Sequence, residues 1–172
     1  ITTPTIPGIP AGKGPTLCLG YYDDRAANAA LSTSDGWMRM GDLATIDADG
    51  YLTVVGRTSD IIIRGGKNIS AAQVEGEVAS HPAVALCGAV AFPDPTFGER
   101  VCVFVEMRAG HPPITLDELR AHLERRGTGK ELWPERIIAV DELPRSSGGK
   151  VAKGELRTLA IDHLAMLLSG AE

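Results

Sequence analysis

SAAQVEGEVASHPAVALCGAVAF, residues 70–92, changes from a helical to a strand-like apolar repeat at His81–Pro82, and that change decides how the second part of the chain folds. Ser70 and Gln73 stand at capping-box spacing and Val74 and Val78 share one face, so a helix over 71–80 is predicted, stopped by Pro82. Residues 83–92 then set Val84, Leu86, Val90 and Phe92 on one side and small residues on the other, which suits a strand covered closely by helices.

Working outward, RVCVFVEM repeats the strand signal. Thr115 and Glu118 form a second capping box, Leu116, Leu119 and Leu123 supply a buried stripe, and Gly127 is a fitting helix stop. RIIAV reads as a third short strand, with Trp133 just before it anchoring a loop onto the core. GELRTLAIDHLAMLL, from about residue 154, is a closing helix with Leu156, Leu159, Leu164 and Leu167 as its apolar face. The order α, β, β, α, β, α predicts a small α+β domain: a short three-stranded sheet, antiparallel or mixed, flanked by helices.

Texture changes near residue 59. The earlier part is rich in glycine and turn signals, and Asp49-Gly50 between ATID and YLTVVG predicts a hairpin with a two-residue type I′ turn. Two domains are therefore expected, a β-rich one over 1–58 and an α+β one over 59–172.

Composition narrows the function classes. A net charge of −5, with cations scattered over 172 residues, argues against a nucleic-acid surface or acidic lipid headgroups as partners. Cys18, Cys87 and Cys102 lie in apolar runs without metal-ligand spacing and read as reduced core residues of a cytoplasmic protein. ITTPTIPGIP lacks the features of a secretory leader, no apolar run approaches bilayer length, and the initial Ile suggests a piece of a longer chain.

Four stretches are candidates for chemistry beyond GIPAGKGP, which imitates a phosphate-binding loop but has the wrong spacing and no Ser or Thr after Lys13. In DGWMRMGDL, Asp42 can accept two hydrogen bonds from a vicinal diol, or simply close a turn. In GRTSDIIIRGGKNIS, Arg57 marks the texture change, and Gly65-Gly66 either admit close approach of a ligand or form a tight hairpin turn. In LPRSSGGKVAKGELR, Lys150 ends a flexible Ser146–Gly149 loop and can reach an anion, or it is an ordinary solvated lysine. His81 and His111 are expected in loops without acid–base roles, His122 and His163 on helices facing solvent or the domain edge, and Glu99 either in solvent or against another domain.

Taken together, in this order and spacing, GWMRMGD, YLTVVGR, RGGKN and PRSSGGK resemble the C-terminal part of acyl-CoA synthetases of the acyl-adenylate-forming superfamily, from about Gly14 to Leu159. The resemblance implies that Asp42 holds the adenylate ribose, that Arg57 helps bind nucleotide, and that Lys150 is the catalytic lysine bridging the substrate carboxylate and the α-phosphate of ATP. It implies two half-reactions: a carboxylic acid, expected to be a fatty acid, and MgATP give acyl-AMP and pyrophosphate, and the thiol of coenzyme A then displaces AMP. A mobile C-terminal lid would present Lys150 in the first and Gly65 and Gly66, lining the pantetheine channel, in the second. Where the family has Asp or Lys as the hinge, this chain has Ser59 followed by Asp60, so the hinge falls on one or both. Residues 1–58 would then be the tail of the large nucleotide-binding domain and 59–172 the lid, inactive when isolated. An adenylation domain that loads a carrier protein's phosphopantetheine and a non-catalytic binding module of the same fold are the alternatives.

Overall fold

The computed structural model describes residues 7–169, so the first six residues of the stretch read for a leader lie outside it. Two compact units divide between Ser59 and Asp60.

The first unit holds β1 (Ala11–Gly12), α1 (Arg25–Leu31), β2 (Met38–Arg39), β3 (Asp42–Ile46) and β4 (Leu52–Arg57). α1 is capped by the Asp24 carboxylate, which accepts from Ala27 N–H at 2.9 Å. β1 pairs with β2 and β3 with β4, both antiparallel. The β3–β4 hairpin forms, but its turn differs from the two-residue type expected. Asp47 N–H donates to Tyr51 O, Gly50 N–H donates to Asp47 O, and Gly50 alone in the loop has positive φ. This is a type I turn closed by a left-handed glycine. The cause is Asp47, whose carboxylate accepts from Asp49 and Tyr51 N–H and holds Asp49 out of the left-handed region. Lys13 of the false phosphate loop donates to Asp35 O. Cys18 is exposed, against the core position expected of it, because its apolar run falls in an irregular segment.

The second unit runs β5 (Ile61–Arg64), β6 (Lys67–Ser70), α2 (Ala71–Ala79), β7 (Val84–Asp94), β8 (Gly98–Met107), α3 (Leu116–Arg125), β9 (Arg136–Val140) and α4 (Lys153–Ser169). Over the described residues it is α+β, with five strands where three were expected, because the run around Gly65-Gly66 is itself a hairpin. β8 is the centre. β7 pairs along its whole length, while the other edge takes β9 in parallel over Cys102–Glu106 and β5 at the single rung Arg64–Gly98. Beside that rung the Glu99 carboxylate accepts from Ile63 N–H, so this glutamate latches β5 to β8.

Alternation along β8 gives the sheet two apolar faces. Val101, Val103 and Val105 pack with Val74, Val78, Leu119 and Leu123 of α2 and α3; Cys102 and Phe104 pack with Leu156 and Ala160 of α4. Val84 lies on the α2–α3 face, opposite Leu86, Val90 and Phe92 with which it was grouped. A bulge between Val84 and Leu86 shifts the register, and one extra residue reverses the side of every residue before it.

Helix ends follow local chemistry. Thr115 and Glu118 make the expected capping box, and α3 stops with Gly127 N–H on Glu124 O and Thr128 N–H on Leu123 O, a Schellman closure. The box read at Ser70 and Gln73 is absent: Ser70 sits at the N-cap of α2, but its side chain makes no capping bond, since Ser70 also ends β6. α4 buries Leu156 and Ala160 and half-buries Leu164, whereas Leu159 and Leu167 are exposed. Leu159 projects about 100° away from that stripe, and Leu167 returns to its side only past the last core contact. Among the described residues no helix is long and apolar enough to cross a membrane.

Candidate functional site

The candidate residues fall into three clusters, each fixed by backbone hydrogen bonding within its own unit.

In the first unit, Asp42 opens β3, and register sets it opposite Arg57, the last residue of β4. Arg57 Nε lies 3.3 Å from Asp42 Oδ1, with the arginine side chain 62% exposed and the aspartate 34%. Thr58 closes the hairpin's open end, its N–H and hydroxyl both donating to Gly41 O at 2.9 and 3.0 Å. A cavity of about 370 Å³ opens next to this closure, walled by Tyr21, Ala30, Arg39, Met40, Gly41 and Thr58.

In the second unit, Gly65 (φ 57°) and Gly66 (φ 80°) are the two residues of a tight β5–β6 turn, both left-handed as a type I′ turn demands. The turn is pinned from below. Gly65 N–H donates to Phe97 O at 2.8 Å, and Arg64 donates to Trp133 O at 3.1 Å and Glu131 O at 2.6 Å while pairing with Glu135. Trp133 is half-buried against the core and donates its ring N–H to Thr128 O, the anchoring role expected of it. Above, Gly66 meets open space: a Cβ there would touch nothing within 4 Å.

The Lys150 loop is an ordered hairpin rather than the flexible segment expected. Ser146 N–H donates to Lys150 O (2.7 Å), Gly149 N–H to Ser146 O (2.8 Å) and Ala152 N–H to Pro144 O (2.7 Å). Gly149, with φ of 76°, supplies the left-handed residue. The pattern is that of the 47–51 turn, residue for residue. Both feet stand in the core: Leu143 is buried and its N–H donates to Glu106, while Val151 packs against the cluster that holds Leu156 of α4. Lys150 is exposed at the rim and makes no side-chain hydrogen bond or ion pair among the described residues.

The two hinge candidates differ. Ser59 is exposed in the short 3₁₀ turn Thr58–Asp60. Asp60 is half-buried, its carboxylate 3.1 Å from Lys153 Nζ and 3.0 Å from Arg157 Nη2. Neither lysine nor arginine stands out by spacing, since a Lys–Arg pair one turn apart is common on solvated helices.

Elsewhere, burial pushes the Cys87 and Cys102 thiols up to about 12. His81 and His122 meet edge to face with centroids 4.8 Å apart, and His122 Nε2 is 2.9 Å from Ser80 Oγ, so of the two settings expected for His122 the half-buried one holds and the solvent-facing one does not. Among the described residues no group of three His, Cys, Asp or Glu could hold a metal ion.

Residues 73–150 match the AMP-binding enzyme C-terminal domain. Over 154 residues the chain is 38% identical to medium-chain fatty-acid–CoA ligase of Escherichia coli, spanning 90% of this chain and 27% of the ligase. It is 41% identical over 152 residues to 2,3-dihydroxybenzoate-AMP ligase of Bacillus subtilis, spanning 88% and 28%. Among solved structures it superposes on o-succinylbenzoate CoA synthetase of Bacillus subtilis holding an acyl-adenylate intermediate, with TM-score 0.79, 34% identity, and 90% and 31% coverage. The chain thus spans about a quarter to a third of the length of these relatives.

Proposed function

Because residues 73–150 belong to the AMP-binding enzyme C-terminal domain family, we propose that the protein containing this chain is an ATP-dependent acid–thiol ligase and that this chain carries its adenylation lysine. The observation that carries the reading is the Lys150 hairpin: a cation held at the rim of a hydrogen-bonded turn, with both feet in a packed core and no competing carboxylate among the described residues.

In the first half-reaction a carboxylate oxygen attacks the α-phosphorus of ATP and the bond to pyrophosphate breaks. Negative charge is shared between the attacking carboxylate and the α-phosphate, and the Lys150 ammonium between them stabilises the transition state by a few kcal/mol. Asp42 accepts from both ribose hydroxyls. Arg57 keeps that carboxylate oriented through Nε and leaves the rest of its guanidinium for the nucleotide phosphate. Magnesium enters with the triphosphate as part of that substrate. In the second half-reaction the thiolate of coenzyme A attacks the acyl carbonyl and AMP leaves. The Gly65–Gly66 turn, with open space above Gly66, suits close passage of a pantetheine arm.

The unit that begins at Asp60 acts as the lid, and residues 1–59 complete a larger nucleotide-binding domain; alone, residues 1–172 are expected to ligate no acid to coenzyme A. Medium-chain fatty acids head the substrates to test, because a relative 38% identical is named for that activity. A second reading, in which the adenylate passes to a carrier-protein thiol, is compatible with a relative whose name gives the acid–AMP product and no coenzyme A. The deciding experiment uses the full-length protein with Lys150→Ala. Pyrophosphate exchange should collapse, across a panel of fatty and aryl acids, while thioester formation from preformed acyl-AMP persists. Unchanged exchange would remove Lys150 from the site. Thioester formation only with a holo-carrier protein would select the second reading.

A further inference from the structure

Beneath the Lys150 hairpin four charged side chains meet. Asp60 lies 3.1 Å from Lys153 and 3.0 Å from Arg157; Lys153 Nζ also lies 2.9 Å from Glu75 Oε1, which in turn accepts from Ala89 N–H at 2.8 Å. Asp60, Lys153 and Glu75 keep only 17%, 18% and 23% of their side-chain surface exposed. Two carboxylates and two cations balance, so the group is neutral, and removing one partner would leave a poorly solvated charge uncompensated. It joins three elements distant in sequence: the start of β5, the middle of α2 and the first turn of α4.

Resting on the reading above, we propose that Asp60 is a positioning residue and not a rotating hinge: it clamps the point where the chain enters the second unit to the base of the Lys150 hairpin. Lys153 follows Lys150 by three residues, and the intervening backbone is fixed by the Ala152–Pro144 hydrogen bond and the buried Leu156. Turning Asp60 would break its contacts to both cations, so the rotation of a lid falls on residues before it, Arg57 to Ser59, and carries Lys150 as part of one rigid body. The Gly65–Gly66 turn stands at the far end of β5, roughly 17 Å away by strand rise, and is held independently by Arg64 and the Arg64–Gly98 rung. Losing the clamp therefore displaces Lys150 while the glycine turn keeps its setting.

The test uses the full-length protein with Asp60→Asn, Lys153→Met, the double variant and Lys153→Arg. Asp60→Asn should lower pyrophosphate exchange about tenfold to a hundredfold, the scale of a misplaced catalytic group, with thioester formation from preformed acyl-AMP within about twofold of wild type on the same principle. Amide hydrogen exchange over 143–153 should speed up. The double variant should lose no more than the worse single variant, and Lys153→Arg should retain activity. Equal loss of both half-reactions, or unaltered exchange activity with unaltered amide exchange, would overturn the clamp. A wild-type protein without pyrophosphate exchange would overturn the ligase reading instead, and the amide-exchange comparison would still decide whether Asp60 holds the hairpin.

Discussion

Asp42 and Arg57 are cross-strand partners, the first residue of β3 opposite the last of β4, with Oδ1 and Nε 3.3 Å apart. Backbone register alone brings together two residues fifteen positions apart. Because both are substantially exposed, the pair adds little to stability. Asp42→Asn and Arg57→Ala in the full-length protein should each weaken ATP binding about tenfold or more, the scale of a lost charge-assisted hydrogen bond. Urea midpoints should hardly move. The KM for ATP in pyrophosphate exchange checks the first half of this statement and a denaturation curve the second.

Gly88 on β7 faces α4 with no room to spare. A Cβ there would stand 2.6 Å from Leu156 Cδ1 and 3.1 Å from Val151 Cγ1, residues that seat the Lys150 hairpin. Gly88→Ala should destabilise the second unit by about 1–3 kcal/mol, the usual range for overpacking. An unchanged urea midpoint would show that α4 yields freely.

The His81–His122 pair makes stability depend on pH. Burial lowers both pKa values; the Arg125 charge and the neighbouring histidines act in the same direction, Arg126 lowers His122 further, and Glu118 and Glu77 oppose them. The folded state therefore prefers neutral rings, and unfolding takes up protons once the pH nears the ordinary value of 6.5. Stability is present in full above 6.5 and declines as the pH falls below it towards the folded-state values. Urea midpoints at pH 7.5 and 5.5 measure the decline. His122→Gln, which can keep a bond to Ser80, should reduce the slope.

The three cysteines should separate sharply in alkylation. Cys87 and Cys102 are buried with thiols raised to about 12, so the reactive thiolate is scarce at pH 8 and shielded as well. Cys18 is exposed and should take up iodoacetamide first. Peptide mapping after a brief pulse that found Cys87 or Cys102 labelled at the same rate would contradict this packing.

Much of the second unit was legible in sequence because its signals are local. Strict alternation from Val101 to Val105, and Thr115 with Glu118 before a leucine stripe, each state a period and a terminus within one short window. The misreadings share the opposite property. Val84 changes sides through a bulge that exists only relative to β8, Ser70 loses its capping role because β6 runs up to the helix, and Leu159 is displaced from the stripe by how α4 lies on the sheet. The candidate site divides in the same way. The motif residues Asp42, Arg57, Gly65, Gly66 and Lys150 could be named from their runs, whereas the Asp60–Lys153–Glu75–Arg157 cluster requires partners up to 97 positions apart.

That last separation bears on how the chain is made. β5 has one rung to β8, and its start is clamped by side chains of the final helix. On a ribosome β5 would emerge early and wait for most of the second unit to be synthesised before Lys153 and Arg157 could secure it, since long-range closures form only after the intervening chain exists. A nascent chain arrested before residue 153 should thus be cut by protease at 59–64, and one extended through α4 should resist. Equal resistance in both would mean that the first strand docks without its last partner.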